Sequence, residues 1–421
     1  MSLSGVEAAL VDLVLVFALA GTIAAFAATS GHVPYTIALV LVGLAASLLG
    51  FGLRSELTPE LLSDLILFVL VPALLFQGAS RVDADRFVEN VGLILGFAVV
   101  GLPISVALLG LASHLVLGFP LLGGLLFAAI VLPTDPVAVL PLFEELGVPA
   151  RLSVLVDGES MLNDGVGVVL YTAFLELALE SPRSGPADLV GLGLGEIVVD
   201  LALGVFVSMV GGVLVGAAVG IVVYRVFVFF DDELTTIILS VVLAYGSFLA
   251  GELLGVSGVV AVVSAGVFVA ERRETTPLGA DTRLTFSITW RSVGFVANTF
   301  LFLTIGLMTP FDALLATAVP MALTIGLVFL ARAVVVYPLA ALVDRSGLTS
   351  VPRSYRPVLV WSGIHVSIPL ALALGLPAAF PAELATQFQV LTFGVAMFTL
   401  VVQGLTMEPL LHRLGVTTAT E

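Results

Sequence analysis

The runs Pro133-Thr134-Asp135-Pro136 and Asp157-Gly158-Glu159-Ser160-Met161-Leu162-Asn163-Asp164-Gly165 set carboxylates inside long apolar segments. Burying an ionised Asp at the centre of a bilayer costs about 2.5 to 3.5 kcal/mol on insertion scales, so a carboxylate there marks a candidate functional site. The chemistry such a group offers is the carrying of a cation or a proton. Pro133 and Pro136 have no backbone N–H, so the carbonyls of Ala129 and Leu132 lose their usual helical partners. Thr134 adds hydroxyl and carbonyl oxygens and Asp135 a carboxylate, the hard-oxygen set that suits Na⁺. A kinked helix whose freed groups are met by neighbouring Ser or Thr explains the two prolines equally well.

In the second run Ser160 and Asp164 stand one helical turn apart on one face, and so do Glu159 and Asn163. Ser160 and Asp164 are assigned to an ion site facing Asp135, and Glu159 with Asn163 to a supporting network. Arg332, in Leu330-Ala331-Arg332-Ala333, is the basic residue that lies well inside another apolar span, which makes it the expected partner of Glu159. A structural ion pair is favoured there over direct coordination of a cation, although Glu159 stays among the candidate cation-binding residues. His365 is a candidate pH modulator, set against the commoner role of a hydrogen-bonded structural His. Arg291 reads as a snorkelling residue at a helix end, and Gln77, Glu252 and Asn298 as interhelical hydrogen-bonding groups.

The elements that must position these residues follow from composition. Of 421 residues 59% are hydrophobic and 11% charged, and the mean hydropathy is +1.20. These values describe an all-α polytopic membrane protein, with no polar block large enough for a soluble domain. The stretch from about Ala8 to Thr29 lacks a basic n-region and a small-residue cleavage site, so it reads as a retained helix. The absence of cysteine excludes disulfides and thiolate chemistry. The net charge is −16 and all 15 basic residues are Arg, which fits a protein facing strong salt, with a GC-rich genome as the alternative source of Arg. No basic patch exists to bind nucleic acid.

Breaking the hydropathy at Gly, Pro and charge clusters gives about thirteen spans, at 8–28, 34–52, 61–79, 91–116, 120–146, 151–179, 193–224, 234–253, 256–271, 288–308, 313–343, 354–376 and 386–411. With the N-terminus outside, eleven arginines fall on the cytoplasmic side and two, Arg54 and Arg183, outside. A cytoplasmic C-terminus follows. The chain then reads as one membrane domain over 1–421: a first repeat at about 8–179, a connector helix at 193–224, a second repeat at 234–411 entering from the opposite side, and a tail at 412–421. In inverted repeats the fifth element of each half is often broken near the midplane. Span five holds Pro133 and Pro136, and span twelve holds Gly363 and Pro369 in Trp361-Ser362-Gly363-Ile364-His365-Val366-Ser367-Ile368-Pro369.

At these residues the chain resembles the electroneutral branch of the monovalent cation/proton antiporters, the sodium/proton exchangers. The resemblance is carried by Thr134-Asp135-Pro136 and by Gly158-Glu159-Ser160-Met161-Leu162-Asn163-Asp164. It extends through Leu249-Ala250-Gly251-Glu252-Leu253-Leu254-Gly255-Val256-Ser257-Gly258, Phe295-Val296-Ala297-Asn298, Ala331-Arg332 and Val336-Tyr337. It implies a homodimer with a mobile six-helix core containing spans five and twelve. Asp164 would then carry the cation and the proton, with Asp135, Ser160 and the Thr134 carbonyl completing the site and Glu159 paired to Arg332. Asn163 stands where electrogenic relatives have a second aspartate, which implies one proton per cation. Two positions depart from the family: Gly363-Ile364-His365-Val366 stands in place of the usual Gly-Leu-Arg-Gly, and Gln77 stands where relatives often have Glu.

The function expected is exchange of Na⁺, with Li⁺ or K⁺ as further candidates, for H⁺ across the cell membrane in pH homeostasis, without cofactor or ATP. Cation and proton would compete for Asp164 and Asp135. The rivals are a K⁺-selective exchanger or cation channel, an intramembrane hydrolase built on Ser160 and His365, and a subunit of a proton-pumping redox complex. The hydrolase lacks a Gly-x-Ser-x-Gly elbow, and the last depends on intramembrane lysines that this chain does not have.

Overall fold

The computed structural model describes residues 18–19, 22–23, 34–49, 58–180, 194–230, 232–273, 279–346 and 350–417. Among these residues every regular element is helical, and nine helices are long and apolar enough to cross a membrane. In chain order the elements are α1 (Tyr35–Leu48), α2 (Pro59–Ala79), α3 (Ala84–Leu117), α4 (Leu121–Val131), α5 (Leu140–Glu145), α6 (Ala150–Glu180) and α7 (Leu194–Phe230). They continue with α8 (Glu233–Leu253), α9 (Gly258–Arg273), α10 (Ala280–Met308), α11 (Ala318–Ser346), α12 (Tyr355–Trp361), α13 (Ser367–Leu374) and α14 (Ala382–Leu414). Each expected span from 34 to 411 has a helical counterpart, and the first, 8–28, lies almost wholly outside the described residues.

Local chemistry sets the starts. The Thr58 side chain accepts from Leu61 N–H at 3.2 Å while Pro59 fills the first helical position, where a missing N–H costs nothing. Asp83 caps α3 through Arg86 N–H at 3.1 Å, so this helix begins seven residues before the expected span at 91. Charged first turns hide such starts from hydropathy. The Asp232 carboxylate caps α8 by accepting from Thr235 N–H at 2.9 Å, and that bond holds its carboxyl below the usual range. α10 likewise begins at Ala280 rather than 288, so Arg291 sits three turns inside the helix and not at its end.

Two long helices carry a π turn just ahead of a proline. Ile66–Leu70 precedes Pro72 in α2, and Gly96–Gly101 precedes Pro103 in α3. A widened turn accommodates the missing N–H without ending the helix. α7 packs against α8 and α9 and turns Val198, Leu203, Phe206, Val207 and Leu214 outward, an apolar face suited to lipid or to another chain. α4 is the opposite case: each of its described residues except Leu125 is buried, and it lies between α3, α6, α13 and α14.

Candidate functional site

Two helices come apart at the centre of the bundle. Residues 132–135 leave the helix between α4 and the 3₁₀ turn Pro136–Ala138 that leads to α5, and residues 363–366 are likewise non-helical between α12 and α13. The stretches cross and bond to each other: Asp135 N–H donates to the Ile364 carbonyl at 2.6 Å, and His365 Nδ1 donates to the Pro133 carbonyl at 3.0 Å. A carbonyl only accepts, so the proton of that bond belongs to Nδ1. The His365 ring also faces the carbonyls of Val131 and Leu132, and the His365 backbone N–H donates to Thr399 Oγ1 at 3.2 Å. The oxygens exposed at the break thus meet an imidazole from 232 residues away.

Four half-helix ends meet here, and three of them carry side chains of matching sign. Asp135 Oδ1 accepts from Val137 N–H at 3.0 Å at the start of the 3₁₀ turn, and Oδ2 accepts from Ser367 Oγ at the first residue of α13. His365 serves the C-terminal end of α4. Arg332 donates from Nε and Nη2 to the Leu359 carbonyl, at 3.2 and 2.9 Å, at the C-terminal end of α12. Carboxylate at N-termini and guanidinium at a C-terminus is the arrangement that helix dipoles favour.

α6 lies against the crossing. A Cβ on Gly167 would collide with the Pro133 ring, so glycine lets the helix approach the break. Ser160 Oγ donates to the Thr134 carbonyl. Asn163 Oδ1 accepts from Thr134 N–H at 3.2 Å, and Asn163 Nδ2 donates to Thr134 Oγ1 at 2.7 Å. Asn163 therefore braces Thr134 rather than joining Glu159 in one network, which corrects the expected division of α6 into two faces. Residues 160, 163 and 164 form a common patch, while Glu159 turns to α11. There Arg332 Nη1 and Nη2 donate to the two Glu159 oxygens at 3.0 and 2.9 Å, a bidentate pair with Glu159 buried and Arg332 partly so. Gly363 makes room for the guanidinium, because a Cβ there would stand 2.6 Å from Arg332 Nε.

Asp164 differs from all of these groups. It is 6% exposed, near enough to Asp135 for their charges to interact, and its Oδ1 is buried with no hydrogen-bond partner among the described residues. The expected residues Thr134, Asp135, Ser160, Asn163 and Asp164 are brought together. His365 joins them from the other side of the crossing. Ser367 and Thr399 were not singled out in the sequence; a hydroxyl at the restart of a broken helix was the available signal for Ser367. Ser160 and His365 bond to different carbonyls, so the geometry offers no Ser–His dyad.

A cavity of about 510 Å³ reaches toward the site from one side and is lined by residues that include Gln77, Arg81, Val137, Glu144, Asp157, Arg291 and Asn298. Gln77 and Asn298 face this space, whereas Glu252 lies exposed at the end of α8 and accepts from Gly258 N–H at 3.1 Å. Beyond Asp164 along α6 a smaller cavity of about 250 Å³ is lined by Glu60, Ser63, Asp64, Tyr171 and Leu372 among others.

Residues 14–413 match the family described as "Sodium/hydrogen exchanger, transmembrane". The chain is 34% identical over 396 residues to the Na(+)/H(+) antiporter NhaG of Bacillus atrophaeus, covering 91% of this chain and 71% of that protein. It is 32% identical over 390 residues to the Na(+)/H(+) antiporter NhaH of Halobacillus dabanensis, covering 91% and 92% of the two chains. The sodium proton antiporter MjNhaP1 from Methanocaldococcus jannaschii, solved at pH 8, superposes with a TM-score of 0.73 over 98% of this chain and 99% of that one. At 19% identity this last likeness is one of fold.

Proposed function

The chain belongs to the sodium/hydrogen exchanger family, and from that premise we propose that it exchanges Na⁺ for H⁺ across the cell membrane, one for one and without net charge transfer. The observation that carries the reading is the unpartnered Asp164 carboxylate beside Asp135 at the crossing of two broken helices. Two like charges buried side by side are costly unless something neutralises them, so the pair holds a proton or a cation far better than neither. Asp164, Asp135, Ser160 and the Thr134 oxygens are the proposed cation ligands, an oxygen set suited to Na⁺ and in principle to Li⁺ or K⁺. Competition between proton and cation for one site is the coupling: the loaded site is neutral enough to change sides, and the empty one is not.

Glu159 and Arg332 are given a positioning role, because each already satisfies the other. Asn163 replaces a carboxylate with a neutral brace on Thr134, which supports a single exchanged charge. The larger cavity opens beside Arg81 and Ala150, on the face that the arginine bias makes cytoplasmic, so the conformation is inward-open. Alternating access then moves the crossing relative to its surroundings and opens the smaller cavity instead. The N-terminus outside, the C-terminus inside, the inverted repeats on either side of α7 and a homodimer complete the proposal. Proteoliposomes loaded with a pH-sensitive dye test it: an imposed Na⁺ gradient should move protons the other way in wild type and not in Asp164→Asn. A channel would instead give current with no counter-transport.

A further inference from the structure

Asp157 enters none of the contacts described above. It projects from α6 seven residues before Asp164, which is about 10 Å along the axis and two turns less some 20°, so the two carboxylates share a face. Its carboxylate lines the larger cavity together with Gln77, Arg81, Glu144, Arg291 and Asn298. No hydrogen bond or ion pair holds it among the described residues, although Arg81, Asp135 and Glu144 lie within electrostatic range. The rim is different. Arg81 meets Glu144 at 3.7 Å and Arg86 meets Asp83 at 3.3 Å, so these charges are matched in pairs. Two more buried polar atoms are unpartnered among the described residues: Oδ1 of Asn298, a residue that lines the cavity, and Oδ1 of Asp164, about two turns further along α6.

We propose that Asp157 is a second cation station, holding a partly hydrated monovalent metal cation in the cavity before it passes to Asp135 and Asp164. This rests on the exchange function proposed above. A carboxylate that no cation pairs, in a cavity walled in large part by apolar side chains, concentrates cations, because field lines crowd into the aqueous space between low-dielectric walls. Gln77, which lines the same cavity, offers an amide oxygen to steady the ion without stripping its water. Weak, incomplete coordination lets the ion move on. Asp157 acts on delivery from one face of the membrane and leaves the turnover of the loaded site to Asp164.

The test uses purified full-length protein in proteoliposomes. Because the chain has no cysteine, Ala150→Cys reports with an impermeant thiol reagent which face each molecule presents. Na⁺ is titrated on the cavity face and, separately, on the opposite face. Asp157→Asn should raise the apparent KM for Na⁺ about five- to tenfold from the cavity face at low ionic strength and leave it unchanged from the other face. The maximal rate should fall less than about twofold, choline chloride at about 0.3 M should remove most of the KM difference, and Asp157→Glu should restore it. If Asp157→Asn does not fold, Asp157→Ser and Asp157→Glu carry the same comparison. An unchanged KM, or an equal change from both faces with a lost maximal rate, overturns the second station. A wild type that moves no protons in response to Na⁺ from either face overturns the exchange itself, and this inference with it.

Discussion

Glu159 and Asp164 stand five residues apart on one buried helix, and their surroundings are opposites. Glu159 has both oxygens filled by Arg332, which in turn holds the end of α12. Asp164 has a buried oxygen with no hydrogen-bond partner among the described residues, and a second carboxylate lies within electrostatic range. A buried charge of the first kind is a fastening: taking away one partner leaves the other exposed to a low dielectric, and the helix packing suffers. A charge of the second kind is an unmet demand, and in the proposed exchange transport consists of what arrives to meet it. Sequence type alone does not separate the two, since both are acids in one run; the location of the nearest cation does.

The sharpest way to break this comparison is to neutralise Asp164. Asp164→Asn should reduce Na⁺-driven proton movement to background while the protein keeps its thermal stability or gains some, because a costly buried charge is gone. Exchange that survives in the folded variant would leave the contrast with Glu159 empty.

The reverse pattern is expected at the fastening. Glu159→Gln and Arg332→Ala should each destabilise the protein by about 3 to 5 kcal/mol, and the double replacement by less than the sum. A thermal-shift mutant cycle measures the coupling, and additivity would mean that the pair is no unit.

Competition sharpens the comparison further. Wild-type apparent affinity for Na⁺ should weaken as the pH falls, because protons then occupy the carboxylates that the cation needs. Titrating Na⁺ at several pH values reads this directly; a KM indifferent to pH would require separate proton and cation sites. Asn163→Asp adds a third carboxylate to the patch and should make exchange respond to an imposed membrane potential, which wild type should ignore.

The smallest effect is expected at His365. His365→Arg should shift the pH of half-maximal activity and leave cation selectivity alone. An unchanged pH profile would reduce His365 to the donor that Pro133 requires.

Much of this site was legible in the chain. Two prolines three residues apart forecast the break around Thr134 and Asp135, one-turn spacing joined Ser160 to Asp164, and the scarcity of basic residues inside spans pointed Glu159 at Arg332. What stayed hidden depends on how distant segments cross. Nothing local says that His365 meets Pro133, that Ser367 bonds Asp135, or that Asn163 turns to Thr134, because these contacts are set by the angle between helices. The same holds for Asp157, whose run suggests a membrane carboxylate but whose outlook onto a cavity comes from the packing of α2, α5 and α10 around α6.

The crossing also dictates an order of assembly. α4 is synthesised more than two hundred residues before the segment that completes it, and until residues 364 and 365 arrive the Pro133 carbonyl and the Asp135 N–H in the non-helical stretch after Val131 lack the partners they have in the finished bundle. Unsatisfied backbone groups cost several kcal/mol each in hydrocarbon, so the nascent chain must keep this stretch near water, translocon or chaperone while seven further helices are made. A chain cut short before α12 would display an open break in the membrane. Such a chain carries a built-in mark of incompleteness that membrane quality control can recognise.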